Sequence, residues 1–253
     1  MSKHDDYPDF VARFYDVIYA NLRDAVDKTY YLKKIKQCKG PVLEIGVGTG
    51  RIFIPALADG ADIYGIDVSA NMIAKLKKQI ASCHRKRVKV QNAIKLKLSK
   101  KFDLIIAPFR VMSHVIQTEE QIRVLNNVYQ HLNRNGIFIF DLYVPNLKLL
   151  IEGMDRRVDF EGEYEPGKKL IRRSSVTSDL INQISYVTME SQWDENGKQK
   201  SKEWQFLMRF YFRYELEHLI ARSKLTLVNI YGNFDENPLS STSKEFIVVG
   251  SRL

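Results

Sequence analysis

The sequence predicts an α/β domain built on a parallel sheet and interrupted by a β-rich insertion. Three observations carry this reading. Short apolar runs of strand length alternate with amphipathic stretches as far as Tyr143. Most of those runs are apolar almost throughout, as strands covered on both faces must be. Beyond Tyr143 the pattern changes to half-polar runs separated by turn signals.

The elements follow in order. A helical stretch opens the chain, FVARFYDVIYANL followed by AVDKTYYLKKIK, and closes at Lys39-Gly40-Pro41. PVLEI (41–45) is the first strand, with Pro41 at the one position where its missing N–H costs nothing. ADIYGID (61–67), RVKVQN (87–92), FDLIIAP (102–108) and NGIFIFDLY (135–143) supply four more. Helical spacing fills 51–58, 70–82 and 118–132 between them. In the last of these Ile122, Leu125, Val128, Tyr129 and Leu132 share one face, Thr118 with Gln121 reads as a cap, and NRNG marks the end.

After Tyr143, RRVDFEGEY, KKLIRRSSVTS, LINQISYVTMESQW and KEWQFLMRFYF read as antiparallel strands, with turns at EPGK and DENGK. Trp193 and Trp204 are expected to pack this added sheet, with an aromatic wall for a substrate pocket as the alternative. A helix, YELEHLIARS, and two strands, LTLVNIYGN and KEFIVVGSR, close the chain. The expected organisation is one domain over 1–253: a helical segment 1–38, a core 39–145, a β-rich insertion 146–212 covering the substrate, and a closing part 213–253.

Bulk properties exclude several classes. No apolar run reaches the roughly 18 residues that span a bilayer, and the first thirty residues lack the pattern of a signal peptide. Cys38 and Cys83 form neither a disulfide framework nor a metal-binding spacing, and His4, His84, His114, His131 and His218 are scattered. A cytoplasmic protein without a metal is the expectation.

The net charge of +9 is unevenly placed. Between Asp67 and Asp103 there is no acid, but there are Lys75, Lys77, Lys78, Arg85, Lys86, Arg87, Lys89, Lys95, Lys97, Lys100 and Lys101. This run reads either as a solvated helix face with its following loop or as a footprint for nucleic acid, an anionic membrane or an acidic partner. No aromatic residue is interleaved in it before Phe102.

The most informative stretch is VLEIGVGTGRI (42–52), where glycine recurs at Gly46, Gly48 and Gly50 directly after a strand. Gly46 and Gly48 let main chain approach a ligand, Gly50 permits tight helix–strand packing, and amides at the helix start favour an anionic group. Asp67, at the end of the second strand, is placed to accept hydrogen bonds from both hydroxyls of a ribose. Together they point to an adenosine-containing ligand. The dinucleotide fingerprint G-x-G-x-x-G is not matched: the third glycine comes one residue early, and Arg51 stands where the last glycine belongs.

VLEIGVGTGR, GIDVSANMI and FDLIIAPFRVMSHV together resemble the motifs of class I S-adenosylmethionine-dependent methyltransferases. FYDVIYA is similar to the Y-D-x-x-Y segment of small-molecule members, such as the glycine/sarcosine and amino-sugar N-methyltransferases. The resemblance covers roughly 10–145 and the closing hairpin; the stretch 146–212 matches no functional motif. It implies a Rossmann-like, seven-stranded, mostly parallel sheet whose last strand is antiparallel and inserted beside the fifth. It implies S-adenosyl-L-methionine as cofactor and S-adenosyl-L-homocysteine as product.

By the same resemblance Gly46 and Gly48 lie under the methionine part, and Asp67 holds the ribose. Val68 and Met72 pack on the adenine, while Tyr15, Tyr19 and Arg51 close over the methionine carboxylate or the reaction pocket. Pro108 lines the methyl end, and Glu44 anchors the loop. One departure stands out. Relatives often carry an acid for the adenine amino group after the third strand, where this chain has Ala93; backbone groups of Ala93 and Ile94, or Asn92, are the substitutes.

The function expected is methyl transfer to an N or O atom of a small-molecule acceptor. The rival readings are a nucleic-acid methyltransferase using the basic 75–101 surface and a non-catalytic S-adenosylmethionine-binding module. No catalytic residue is fixed; Tyr15 and His114 are candidates for a base, each with an alternative place in the core or at a cap.

Overall fold

The computed structural model describes residues 7–22 and 25–253. His4 and the other residues of the helical segment beyond these bounds lie outside the described residues. The chain divides into two compact units, one made of 1–24 and 146–209 and the other of 25–145 and 210–253. The helical segment expected as one piece over 1–38 is therefore shared between them.

The elements begin with α1 (Asp9–Leu22), α2 (Val26–Gln37), β1 (Val42–Ile45), α3 (Phe53–Ala58), β2 (Ile63–Asp67) and α4 (Ala70–Gln79). They continue with β3 (Val88–Val90), β4 (Phe102–Ala107), α5 (Thr118–His131), β5 (Leu132–Tyr143) and α6 (Leu147–Glu152). Four long strands follow: β6 (Met154–Glu165), β7 (Lys168–Asp179), β8 (Ile184–Glu195) and β9 (Lys198–Arg209). The chain closes with α7 (Arg213–Ala221), β10 (Thr226–Tyr231) and β11 (Glu245–Ser251).

The larger unit holds a seven-stranded sheet in the order β10-β11-β5-β4-β1-β2-β3. β11 is antiparallel to both neighbours, and the pairings among β1 to β5 are parallel, which is the arrangement expected. All four residues of β1 are buried, as its place inside the sheet requires. One core forms on one face around Leu43, Ile105, Phe138 and Leu125; another forms around Val42, Ile63, Ile106 and Tyr31. These opposite sets come from alternate positions along the same strands.

Local details depart from the sequence pattern. α3 starts at Phe53, because residues 51–52 complete a turn out of the glycine loop. Gln121 does not cap α5 with Thr118: its amide donates to the carbonyls of Val115 (2.8 Å) and Ile116 (3.2 Å), and the cap position is Gln117. NRNG is not a loop between α5 and β5 but a bulge within β5. Phe102 pairs with Leu132 and Leu104 with Ile137, and Asn135 takes a positive φ of 63°. α6 escapes sequence detection because six residues are too few to show a period.

The smaller unit is α1 with the antiparallel sheet β6-β7-β8-β9. Asn196 and Gly197 both have positive φ in the two-residue β8–β9 turn, where such residues match the strand twist. Phe10, Phe14 and Ile18 of α1 join Phe160, Leu170, Trp193, Trp204 and Phe206 in one core, so both tryptophans pack the sheet. Polar residues also sit in this buried layer. Arg172 forms a two-pronged pair with Asp159 (2.8 and 3.1 Å), and its guanidinium lies 5.1 Å from the Tyr19 ring centre.

Candidate functional site

In the larger unit the loops after β1, β2, β3 and β4 all leave from the carboxyl ends of parallel strands, where open α/β sheets bind ligands. The glycine loop is at their centre. Gly48 has φ +55°, and a side chain added there would meet only the carbonyl oxygen of Gly46, at 4.0 Å. The space is open, so glycine is not required there by protein packing. Gly46 and Gly50 differ: an added Cβ would come within 2.3 Å of the Val111 side chain and 2.4 Å of Leu76, respectively. Gly46 is explained by the chain after β4, and Gly50 by the close approach of Leu76 of α4 and Ile54 of α3 in place of the expected helix–strand contact.

Asp67 ends β2 and is buried. Its Oδ2 accepts the Gly48 amide (2.9 Å) and its Oδ1 accepts the Ser69 amide (2.8 Å). Ser69 in turn caps α4 by accepting the Met72 amide at 3.3 Å. One carboxylate thus fixes the glycine loop against the start of α4. Val68 is half-buried beside it and Met72 is buried.

Glu44 lies opposite Gly65 and Ile106 in the sheet, and its Oε2 is buried with no hydrogen-bond partner among the described residues. Burial pushes its carboxyl up to about 8, with Arg51 opposing the shift and Asp67 adding to it. The folded chain therefore keeps a proton that the unfolded chain loses from the ordinary 4.5 upward. Its contribution to stability is complete below that value and is lost as pH rises through about 8. Thermal melts of the parent and Glu44→Gln should show the variant gaining on the parent from about pH 4.5 to about 8, with no further gain above. Parallel profiles would count against the shift.

Arg51 commits two donors to Asp27 of α2, Nη1 at 2.9 Å and Nη2 at 2.5 Å, and its guanidinium lies 5.5 Å from the Phe109 ring centre. It can meet a ligand carboxylate only with its remaining donors. Asp141 of β5 is fully buried, and its Oδ1 accepts both the Tyr31 hydroxyl (2.7 Å) and the Phe109 amide (2.8 Å). Burial first, and Asp141 next, raise the Tyr31 hydroxyl well above its ordinary value, so it stays a donor. Phe109 and Arg110 are consecutive non-glycine residues at φ 64° and 63°, a conformation costing about 1–2 kcal/mol each that these bonds hold in place. Asp27, Tyr31 and Asp141 were missed from sequence; the signal for Asp141 was a lone acid inside FIFDLY.

After β3, the Asn92 carboxamide accepts the Ile94 amide (2.8 Å), while Asn127 donates to the carbonyls of Ala93 (3.0 Å) and Ile94 (2.9 Å). These groups already have internal partners, which limits what they can offer an adenine. Pro108 is buried just after β4, and His114 is half-buried at the end of the turn Val111–His114. Tyr15 and Tyr19 belong to the smaller unit, half-buried, with ring centres 4.5 Å apart.

The family described as "Methyltransferase domain" matches residues 43–138, which run from β1 into β5 and include the glycine loop, Asp67 and Phe109. Residues 43–138 are a methyltransferase domain. A glycine/sarcosine N-methyltransferase of Parasynechococcus marenigrum is 26% identical over 150 residues, 57% of this chain and 52% of that relative. The chain spans about half the length of the curated relatives it matches. Among solved structures, an S-adenosylmethionine-dependent methyltransferase from Clostridium acetobutylicum aligns with TM-score 0.77 and 15% identity, over 96% of this chain and 97% of that one. An amino pentose methyltransferase from Micromonospora echinaspora, solved with S-adenosylmethionine bound, aligns with TM-score 0.67 and 14% identity, over 94% and 96%. At such identities the likeness is one of fold, and the methyltransferase-domain match is confined to residues 43–138. No helix among the described residues is long and apolar enough to cross a membrane.

Proposed function

We propose that this chain transfers a methyl group from S-adenosylmethionine to an N or O atom of a small-molecule acceptor. The observation that carries the reading is the space at Gly48 beside the buried Asp67 carboxylate. Main chain without a side chain, next to a buried carboxylate at the end of the second strand, suits an adenosyl amino acid. The orphaned Glu44 oxygen adds a buried acceptor near the same loop.

Gly46 and Gly48 would hold the amino-acid part, Asp67 the ribose, and Val68, Met72, Ala93 and Ile94 the adenine. Pro108 would line the methyl end. When bound, S-adenosylmethionine supplies the activated methyl group. The chain's own work is placement and exclusion of water: Asp67 fixes the glycine loop, and Asp141 fixes the backbone at Phe109. A base is needed only for an acceptor that must lose a proton near the transition state, and Tyr15 and His114 are the candidates.

A small-molecule acceptor is supported by relatives named for glycine, sarcosine and an amino pentose. The inserted unit, with its aromatic residues and Arg172, is proposed to set which acceptor is used. Calorimetry with S-adenosylhomocysteine, followed by methyl transfer from labelled S-adenosylmethionine to a panel of amines and alcohols, tests the reading. Saturable binding with turnover of at least one acceptor is expected. Absence of binding removes the proposal, and binding without turnover across the panel leaves a cofactor-binding module.

A further inference from the structure

Eleven of the chain's 39 basic residues fall between Asp67 and Asp103 without one acid. Outside that stretch 28 basic residues face 30 acidic ones, so the entire positive excess resides in it. Ordinary solvated surface intersperses both signs. The fold gathers this stretch onto one edge of the larger unit, around the edge strand β3.

Two of these cations are paired locally, Arg87 and Lys100 sharing the single carboxylate of Asp62. Lys78, Arg85, Lys86, Lys89, Lys95, Lys97 and Lys101 are exposed, and their charged groups form no ion pair among the described residues. Lysine on an edge strand guards against strand pairing, which accounts for Lys89. It does not account for Lys95, Lys97 and Lys101, which lie outside the strand and rim a groove of about 560 Å³ with Gln130 and Ser99 between them.

The wall of that groove is held in a fixed shape. Asn127 bonds the carbonyls of Ala93 and Ile94, and His131 accepts the Leu98 amide at 3.0 Å while its other ring nitrogen meets the Asn127 carbonyl at 2.7 Å. Along this pinned segment burial alternates: Leu96 is buried, whereas Lys95 and Lys97 are exposed. Two polar side chains of α5 are thus used to hold a segment whose outward residues are cations.

We propose that this basic edge docks a nucleic-acid strand through its phosphodiester backbone, on a surface that adjoins the adenine side of the proposed cofactor site at Ile94. An extended row of cations around a concave groove fits a chain of phosphates better than one small anion. The stretch contributes no aromatic ring for base stacking before the buried Phe102, so recognition is independent of base sequence. The surface carries no apolar anchor beyond Val90, which disfavours a lipid bilayer.

Fluorescence anisotropy of the full chain with a labelled single-stranded RNA, and with DNA of the same sequence, across a salt series tests it. Both strands should bind at low salt. Each phosphate contact contributes about 0.7 to the slope of log affinity against log salt, so K95Q/K97Q/K101Q should lower that slope by about 2 and weaken binding about tenfold or more. The control K169Q/K198Q/K224Q removes the same charge from exposed positions elsewhere and should leave the slope unchanged. An unchanged slope in the groove variant, or an equal loss in the control, overturns the proposal. So does binding to phosphatidylserine vesicles at salt concentrations where neither strand binds.

Discussion

Asp67→Ala is expected to weaken S-adenosylhomocysteine binding about a hundredfold. A hydrogen bond to a charged acceptor contributes about 1.5–3 kcal/mol, and two ribose hydroxyls lost together remove about 3 kcal/mol, which is that factor in affinity. The same carboxylate holds the amides of Gly48 and Ser69, so the variant should also melt at lower temperature. The two effects separate with an analogue lacking both ribose hydroxyls. If Asp67 grips the sugar, parent and variant differ far less toward that analogue, because the hydroxyl-dependent part has vanished from both. Equal weakening toward both ligands would reduce Asp67 to a support for the loop.

Gly48→Val is expected to abolish measurable binding of S-adenosylhomocysteine while leaving a folded protein. The added Cβ meets nothing in the chain closer than the Gly46 carbonyl oxygen at 4.0 Å, so the protein itself has room for it. Holding a valine at φ +55° costs about 1–2 kcal/mol, visible as a modest fall in melting temperature. The clash falls on whatever lies against the loop. Gly50→Val is the informative contrast: its Cβ would come within 2.4 Å of Leu76 and should cost stability first. Normal binding by a folded Gly48→Val variant would place the ligand elsewhere.

The parallel sheet was legible because its strands are buried on both faces, so their apolar runs stand out without knowledge of any partner. The same holds for VLEI followed by its glycines, where composition and order suffice. What was hidden depends on pairs that only the fold creates. Tyr31 and Asp141 are 110 residues apart, and Arg51 and Asp27 are 24 apart. For Gly46, Val111 from another strand's loop adds a packing reason for the missing side chain that the sequence did not show. Thr118 and Gln121 had the spacing of a cap, but two carbonyls of the preceding loop competed for the glutamine amide.

The smaller unit is assembled from two stretches separated by the whole of the larger unit's first five strands. Its helix α1 is made early, yet Trp204 and Phe206, which complete the layer over Phe10 and Phe14, emerge from the ribosome far later. At about 5–20 residues per second, Phe14 waits on the order of ten seconds for them during translation. Chain order thus leaves the apolar face of α1 without its sheet partners until the last residues of β9 have been added.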